Sequence, residues 1–109
     1  MSKITTHVLD TVLGKAAAGI AVKLEKQDDG NWTEVAQGET DEDGRCSNLA
    51  LGAVAGLYRL IFQTGDYLSR KGRTTLYPEI IITFQCGNDA HYHLPLLLSD
   101  NSYTTYRGS

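Results

Sequence analysis

The sequence predicts an all-β domain: a two-sheet β-sandwich of about eight short strands with one short helix. Apolar and polar residues alternate with period two through most of the 109 residues, which is the signature of strands with one buried face. Turn-forming groups punctuate the alternation at short intervals: Asp28-Asp29-Gly30-Asn31, Asp41-Glu42-Asp43-Gly44, Gly87-Asn88-Asp89 and Ser99-Asp100-Asn101. A single stretch, Asp66 to Gly72, carries helix signals. A chain of this length makes one domain, residues 1–109, and folding removes roughly two-thirds of the unfolded surface from water.

The elements follow in order. Ile4 to Asp10 puts Ile4, Thr6 and Val8 on one face and Thr5, His7 and Leu9 on the other. Gly14 to Gly19 is small and Ala-rich and reads as a turn or loop. Ile20, Val22 and Leu24 then point inward while Lys23 and Glu25 point out. The Asp29-Gly30 pair closes a hairpin, because these residues tolerate the positive φ of a tight turn. Trp32 to Gln37 is the return strand. A short strand is expected at Arg45 to Asn48, followed by a buried or contact-making connection at Leu49 to Gly56, where Gly52 and Gly56 break the apolar run. Leu57 to Gln63 alternates strongly.

Asp66 is placed to cap the helix, basic residues occupy its last turn and Gly72 stops it. Pro78 opens the run Glu79 to Cys86, and His91 to Leu98 and Ser102 to Thr105 are the last strands. That final strand, at a sheet edge and not blunted by Lys or Pro, is suited to pairing with another subunit.

Composition removes several classes of function. Ten basic and thirteen acidic residues give a net charge of −3 without a basic stripe, so nucleic acid is not an expected partner. No apolar run approaches the roughly 20 residues that span a bilayer, and no membrane role is expected. The opening residues lack a signal-type apolar segment, which favours the cytoplasm, with the periplasm as the alternative if a leader has been removed. Cys46 and Cys86, the only cysteines, read as reduced thiols rather than a bridge in such a compartment. The acidic turn at Asp41 to Gly44 reads as a solvated loop, too short for an EF-hand.

The residues able to do chemistry lie on the faces away from the core. In His91 to Leu98, alternation gives Tyr92, Leu94, Leu96 and Leu98 to the core and leaves His91 and His93 with Pro95 on the opposite face. Exposed strand histidines are ordinary, yet two on one non-core face also suit proton transfer. With His7 they could in principle hold zinc, but no Cys or carboxylate spacing supports that, and no metal is expected. Arg45 follows Asp43-Gly44 and either forms a surface ion pair with the acidic turn or serves as a rigid fork for a planar imide or an oxyanion. The chain ends Tyr106-Arg107-Gly108-Ser109, a phenol, a guanidinium, a flexible link and a hydroxyl, carried out of a strand and able to be aimed into a site.

Four segments in order, His7-Val8-Leu9-Asp10, Asp43-Gly44-Arg45, Tyr92-His93-Leu94-Pro95-Leu96-Leu97-Leu98-Ser99 and Tyr106-Arg107-Gly108-Ser109, with Tyr77-Pro78-Glu79 between them, give a resemblance over essentially the whole chain. The sequence resembles the transthyretin-like family, and within it the 5-hydroxyisourate hydrolases, which the terminal tetrapeptide separates from the hormone carrier of similar fold. The resemblance implies two four-stranded sheets, edge-paired dimers, and a homotetramer built as a dimer of dimers with active sites at the dimer–dimer interface. It implies that His7, Arg45 and His93 are catalytic, that Tyr106, Arg107, Gly108 and Ser109 line the substrate site, and that neither metal nor cofactor is needed. His91 is left as a surface or channel-lining residue. The implied reaction is ring-opening hydrolysis of 5-hydroxyisourate to 2-oxo-4-hydroxy-4-carboxy-5-ureidoimidazoline in urate breakdown. The alternatives are a carrier of a small planar ligand and a purely structural sandwich. A carrier of hydrophobic ligands has no need of the two histidines, Arg45 and a polar tail, and the structural reading leaves them unexplained.

Overall fold

In the computed structural model, which describes residues 1–109, the alternating segments form nine strands and one helix. The strands are β1 Ser2–Asp10, β2 Lys15–Ala16, β3 Ala21–Asp28, β4 Asn31–Glu39, β5 Arg45–Ala53, β6 Gly56–Phe62, β7 Ile80–Cys86, β8 His91–Leu98 and β9 Tyr103–Thr105; the helix α1 is Thr64–Arg70. One sheet runs β4-β3-β6-β7, and the other runs β2-β1-β8-β9 with β5 also paired to β1. Every pairing is antiparallel except β1 with β8, which is parallel. Between the sheets lie the inward residues of each strand, among them Ile4, Val8, Val22, Leu24, Leu60, Phe62, Leu96 and Leu98. At roughly 1.5–3 kcal/mol for each large apolar side chain buried, this layer drives the two sheets together.

The β3–β4 hairpin turns as expected, with Asp29 at φ 52° and Gly30 at φ 80°, the pair of positive φ values that a type I′ turn demands. The Ala-rich stretch expected to be loop contains the two-residue strand β2, which folds back on Leu9 and Asp10.

Two expectations need correction. Leu49 to Ala53 is no connection: it extends the strand that begins at Arg45. The period-two rule missed it because the pairing with β1 is shifted twice, between Ser2 and Ile4 and between Ile4 and Thr6. Such bulges put the inward residues at Cys46, Leu49 and Ala53 instead of at every second position. Gly52, taken as a breaker, lies on the exposed side and packs near Met1. Asp66 does not cap the helix either. The helix starts earlier, with Gln63 at the N-cap and no side-chain cap, and Asp66 lies in its first turn, where a negative charge still complements the helix dipole. Its start is set by docking: the Gly65 amide donates to the Pro78 carbonyl at 2.9 Å. A Cβ on Gly65 would stand 2.6 Å from that oxygen. Gly72, at φ 70°, ends the helix as predicted.

The end of β1 is fixed by a buried charge. The Asp10 side chain is fully buried, and its carboxylate accepts from Arg73 Nη1 at 2.6 Å, from Tyr67 Oη at 2.8 Å and from the Val12 and Leu13 amides at 3.1 Å. Arg73 also binds Asp100 at 2.6 Å. Burial alone would raise the Asp10 pKa, but the hydrogen bonds from Arg73, Tyr67 and Leu13 outweigh it and bring it down to about 2. This network ties β1, the helix and the turn before β9 together, and so sets where β9 and the tail begin.

Candidate active site

The parallel pairing of β1 with β8 places Lys3 beside His91, Thr5 beside His93 and His7 beside Pro95. Residues paired in register point the same way, so Lys3, Thr5, His7, His91 and His93 share the outer face of this sheet while Ile4, Thr6, Tyr92 and Leu94 face inward. On the other side of β1, His7 pairs with Arg45. The face carrying the histidines is therefore the face carrying the arginine, although 38 positions separate His7 from Arg45 and 86 separate it from His93. The structure brings all three together.

The tail reaches the same face by continuing β9. Leu96, Leu97 and Leu98 pair with Thr105, Thr104 and Tyr103, and the same register carried onward reaches the bridge between His93 and Gly108. Opposite Tyr106 lies Pro95, which has no N–H to give, so the ladder lapses there. It resumes where the Gly108 amide donates to the His93 carbonyl at 2.8 Å. Beyond β9 the tail is tied to β8 by this single bridge at Gly108.

Arg45, Ser47, Lys3, Thr5, Thr6, His91, His93 and Ser109 line a cleft of about 200 Å³ without a single apolar side chain. His93 is half-buried at its wall. Burial pushes its imidazole below the ordinary value, and the neighbouring His91, Arg45 and His7 push it the same way, with the bond to Thr5 opposing them. The His93 ring bonds through Nδ1, which lies 2.7 Å from Thr5 Oγ1, and Nε2 is left as the nitrogen available to a substrate. His7 Nε2 lies 2.8 Å from the Asp43 carbonyl oxygen. A carbonyl only accepts, so His7 carries a proton on Nε2 and offers Nδ1.

Of the tail, Ser109 lines this cleft and Gly108 lies against the His93 ring. Tyr106 and Arg107 turn to a second hollow of about 290 Å³ on the other side of His93, walled by Ile82, Phe84, Tyr92 and Leu94. There Arg107 pairs with Asp89 at 2.7 Å and lies over the Tyr92 ring, 4.7 Å from its centroid. Lys3, Thr5 and Ser47 were not singled out from the sequence. Thr5 shares its face with His7 by simple alternation, but only the β1–β8 pairing gives that face a meaning.

A polar cleft holding a half-buried imidazole of lowered basicity beside a guanidinium suits attack of water on a carbonyl, with the proton taken by nitrogen and the developing charge met by Arg45. Comparison with known proteins points the same way. A 5-hydroxyisourate hydrolase of Salmonella dublin is 45% identical over 109 residues, covering 97% of this chain and 80% of the relative. The structure of Klebsiella pneumoniae 5-hydroxyisourate hydrolase superposes with a TM-score of 0.91 at 33% identity, covering all of both chains. Sea bream transthyretin, solved in complex with thyroxine, superposes with a TM-score of 0.93 at 35% identity, covering 97% of this chain and 94% of its own. The family model described as HIUase/Transthyretin matches residues 4–108, and the chain belongs to that family.

Proposed function

We propose that this protein is a 5-hydroxyisourate hydrolase, opening the ring of its substrate to 2-oxo-4-hydroxy-4-carboxy-5-ureidoimidazoline in urate degradation. The observation that carries the reading is the placement of His93, Arg45 and Ser109 around one polar cleft, with His7 next to Arg45 in register. The hydrolase relatives add the substrate.

In the proposed mechanism a water enters between the histidines and the substrate ring. His93 takes its proton through Nε2 as the oxygen attacks a ring carbonyl, and a base held below the ordinary imidazole value is present in its neutral form at physiological pH. His7, with Nε2 engaged by Asp43, orients the water through Nδ1. Arg45 meets the charge that develops on the carbonyl oxygen. His93 then gives the proton on Nε2 to the departing ring nitrogen, so that one water is consumed and one carbon–nitrogen bond is broken. Ser109 contacts the ring, Gly108 brings it there, and Tyr106 and Arg107 complete the substrate-binding tail by seating it. The cleft thus supplies positioning together with acid–base chemistry.

We also place the chain in a homotetramer, a dimer of dimers. Strands β7 and β9 lie at sheet edges and carry no Lys or Pro to discourage pairing. A sedimentation mass at or near that of four chains is the expected result, and a monomer at assay concentration would refute the assembly.

Similarity to a thyroxine-bound carrier keeps ligand carriage as the second reading. The absence of apolar lining from the cleft argues against it at this site. The variant His93→Asn should keep the fold and lose about 10² or more of turnover; full activity in that variant would remove His93 from the chemistry.

A further inference from the structure

We infer that Thr5 is a positioning residue for His93, and that its hydroxyl joins His93 to His91 in a relay through which protons pass between the cleft and solvent. The inference rests on His93 being the base, and goes beyond it in giving Thr5 and His91 roles.

The geometry is specific. Thr5 Oγ1 lies 2.7 Å from His93 Nδ1 and 2.7 Å from His91 Nε2. The Thr5 side chain is on the outer face, where a threonine would ordinarily be solvated, yet the residue is only 7% exposed, with an imidazole bonded to its hydroxyl on each side. The rings are 5.9 Å apart between centroids and tilted by 47°: they do not stack, and both turn a nitrogen to the same oxygen. A hydroxyl has one proton to donate, so it donates to one imidazole and accepts from the other.

Two arrangements satisfy this. In the first, His93 Nδ1–H donates to Thr5 and Thr5 donates to His91 Nε2, which leaves the His93 Nε2 lone pair facing the substrate. In the second, every bond is reversed: His91 Nε2–H donates to Thr5, Thr5 donates to His93 Nδ1, and His93 carries its proton on Nε2. The first is the base form and the second the acid form of the same site.

When His93 Nε2 takes a proton from water, the Nδ1 proton passes to Thr5 Oγ1 as the Thr5 hydroxyl proton passes to His91 Nε2. Thr5 ends as it began, His93 ends neutral with its proton on Nε2 ready for the leaving nitrogen, and His91 ends as a cation. His91 is exposed and releases that proton to solvent; when His93 Nε2 gives its proton to the leaving nitrogen the relay runs back, Thr5 to His93 Nδ1 and His91 Nε2 to Thr5, and a solvent proton restores neutral His91. The charged and titratable groups around His93 favour the outward step. His7 and Arg45 stand close enough to disfavour charge on it. Lys3 and Ser109 line the same cleft, and Arg107 lines the hollow behind. A positive charge is better carried on the exposed ring than on the half-buried one.

The test uses the full chain with its histidines labelled with nitrogen-15, and reads tautomer and titration of His93 by NMR without substrate, beside turnover of 5-hydroxyisourate. Wild type should hold the proton of neutral His93 on Nδ1. Thr5→Val, similar in shape but unable to bond, should give a mixture of tautomers and a lower His93 pKa. Its kcat should fall about tenfold, less than the 10²–10⁴ that a general base itself supplies, with KM little changed. Thr5→Ser should restore tautomer and kcat together. His91→Asn should raise the His93 pKa by removing a neighbour that disfavours charge on it, the opposite direction from Thr5→Val, while lowering kcat. If Thr5→Val fails to fold, the Thr5→Ser and His91→Asn pair decides alone.

The inference is overturned if Thr5→Val retains both the wild-type tautomer and kcat, if Thr5→Ser is as impaired as Thr5→Val, or if His91→Asn leaves His93 unmoved. Tautomer control in a protein without turnover would instead sink the hydrolase reading while leaving the Thr5 link standing.

Discussion

The amide of Gly108 donates to the His93 carbonyl at 2.8 Å, and a Cβ built on Gly108 would stand 2.5 Å from Cδ2 of the His93 ring. The tail and the imidazole are therefore in contact through a residue that has room for a hydrogen and nothing more. Gly108→Ala must either turn the ring or push the tail off β8. A shift of roughly 1 Å in a reacting group can cost on the order of 10² in rate, and that loss is expected here with little change in melting temperature, since the strain falls at a chain end. Turnover and a thermal melt of the same sample check it.

The pH dependence follows from the surroundings of His93. Burial, then His91, Arg45 and His7, hold its pKa below the ordinary value of 6.5. The neutral base persists to lower pH than a free imidazole, so the acid limb of kcat/KM should have its midpoint below 6.5. Stability moves in the same sense: as pH falls the unfolded chain binds this proton first, so the contribution is whole above the unfolded value and is lost as pH falls through the folded one. Arg45→Gln removes one positive neighbour and should move the acid limb upward while reducing the rate. An unchanged midpoint would mean that Arg45 does not act on His93.

The buried carboxylate of Asp10 predicts a stability effect remote from the cleft. Asp10→Asn leaves Arg73, held at 2.6 Å in the native chain, without its buried counter-charge. Breaking a buried pair by removing one partner costs about 3–5 kcal/mol; Arg73 keeps Asp100 at 2.6 Å, so denaturant unfolding should show a clear loss below that ceiling. In wild type the pair's contribution is complete above the ordinary Asp value of 3.8 and is lost as pH falls through about 2. Acid unfolding should therefore come at lower pH in wild type than the variant's reduced stability would allow. A variant as stable as wild type would show that the network is dispensable.

How far the sequence carried the fold depends on distance along the chain. β8 was legible to the residue, because Tyr92, Leu94, Leu96 and Leu98 report their burial by alternation alone and Gly87 and Ser99 bracket them. The β3–β4 hairpin was legible from Asp29-Gly30. What alternation cannot carry is pairing between distant strands. The bulges that shift β5 against β1 erased its period, and Tyr67 and Arg73 reach Asp10 while Asp100 reaches Arg73, all from stretches distant in the chain. The site divides the same way. His7, Arg45, His93 and the tail came from motif resemblance, while Thr5 became visible only once β1 lay parallel to β8. Arg107, expected at the substrate, engages Asp89 and Tyr92, a contact between segments whose proximity no local pattern reports.

The central claim is tested most directly by the ultraviolet decay of freshly generated 5-hydroxyisourate, with and without a catalytic amount of the protein, in buffer with and without chelator. The compound also opens on its own, so the buffer rate is the reference. Hydrolysis by the polar cleft predicts a large acceleration that chelator leaves untouched and that His93→Asn removes. Decay at the buffer rate in the presence of folded, wild-type protein would contradict it.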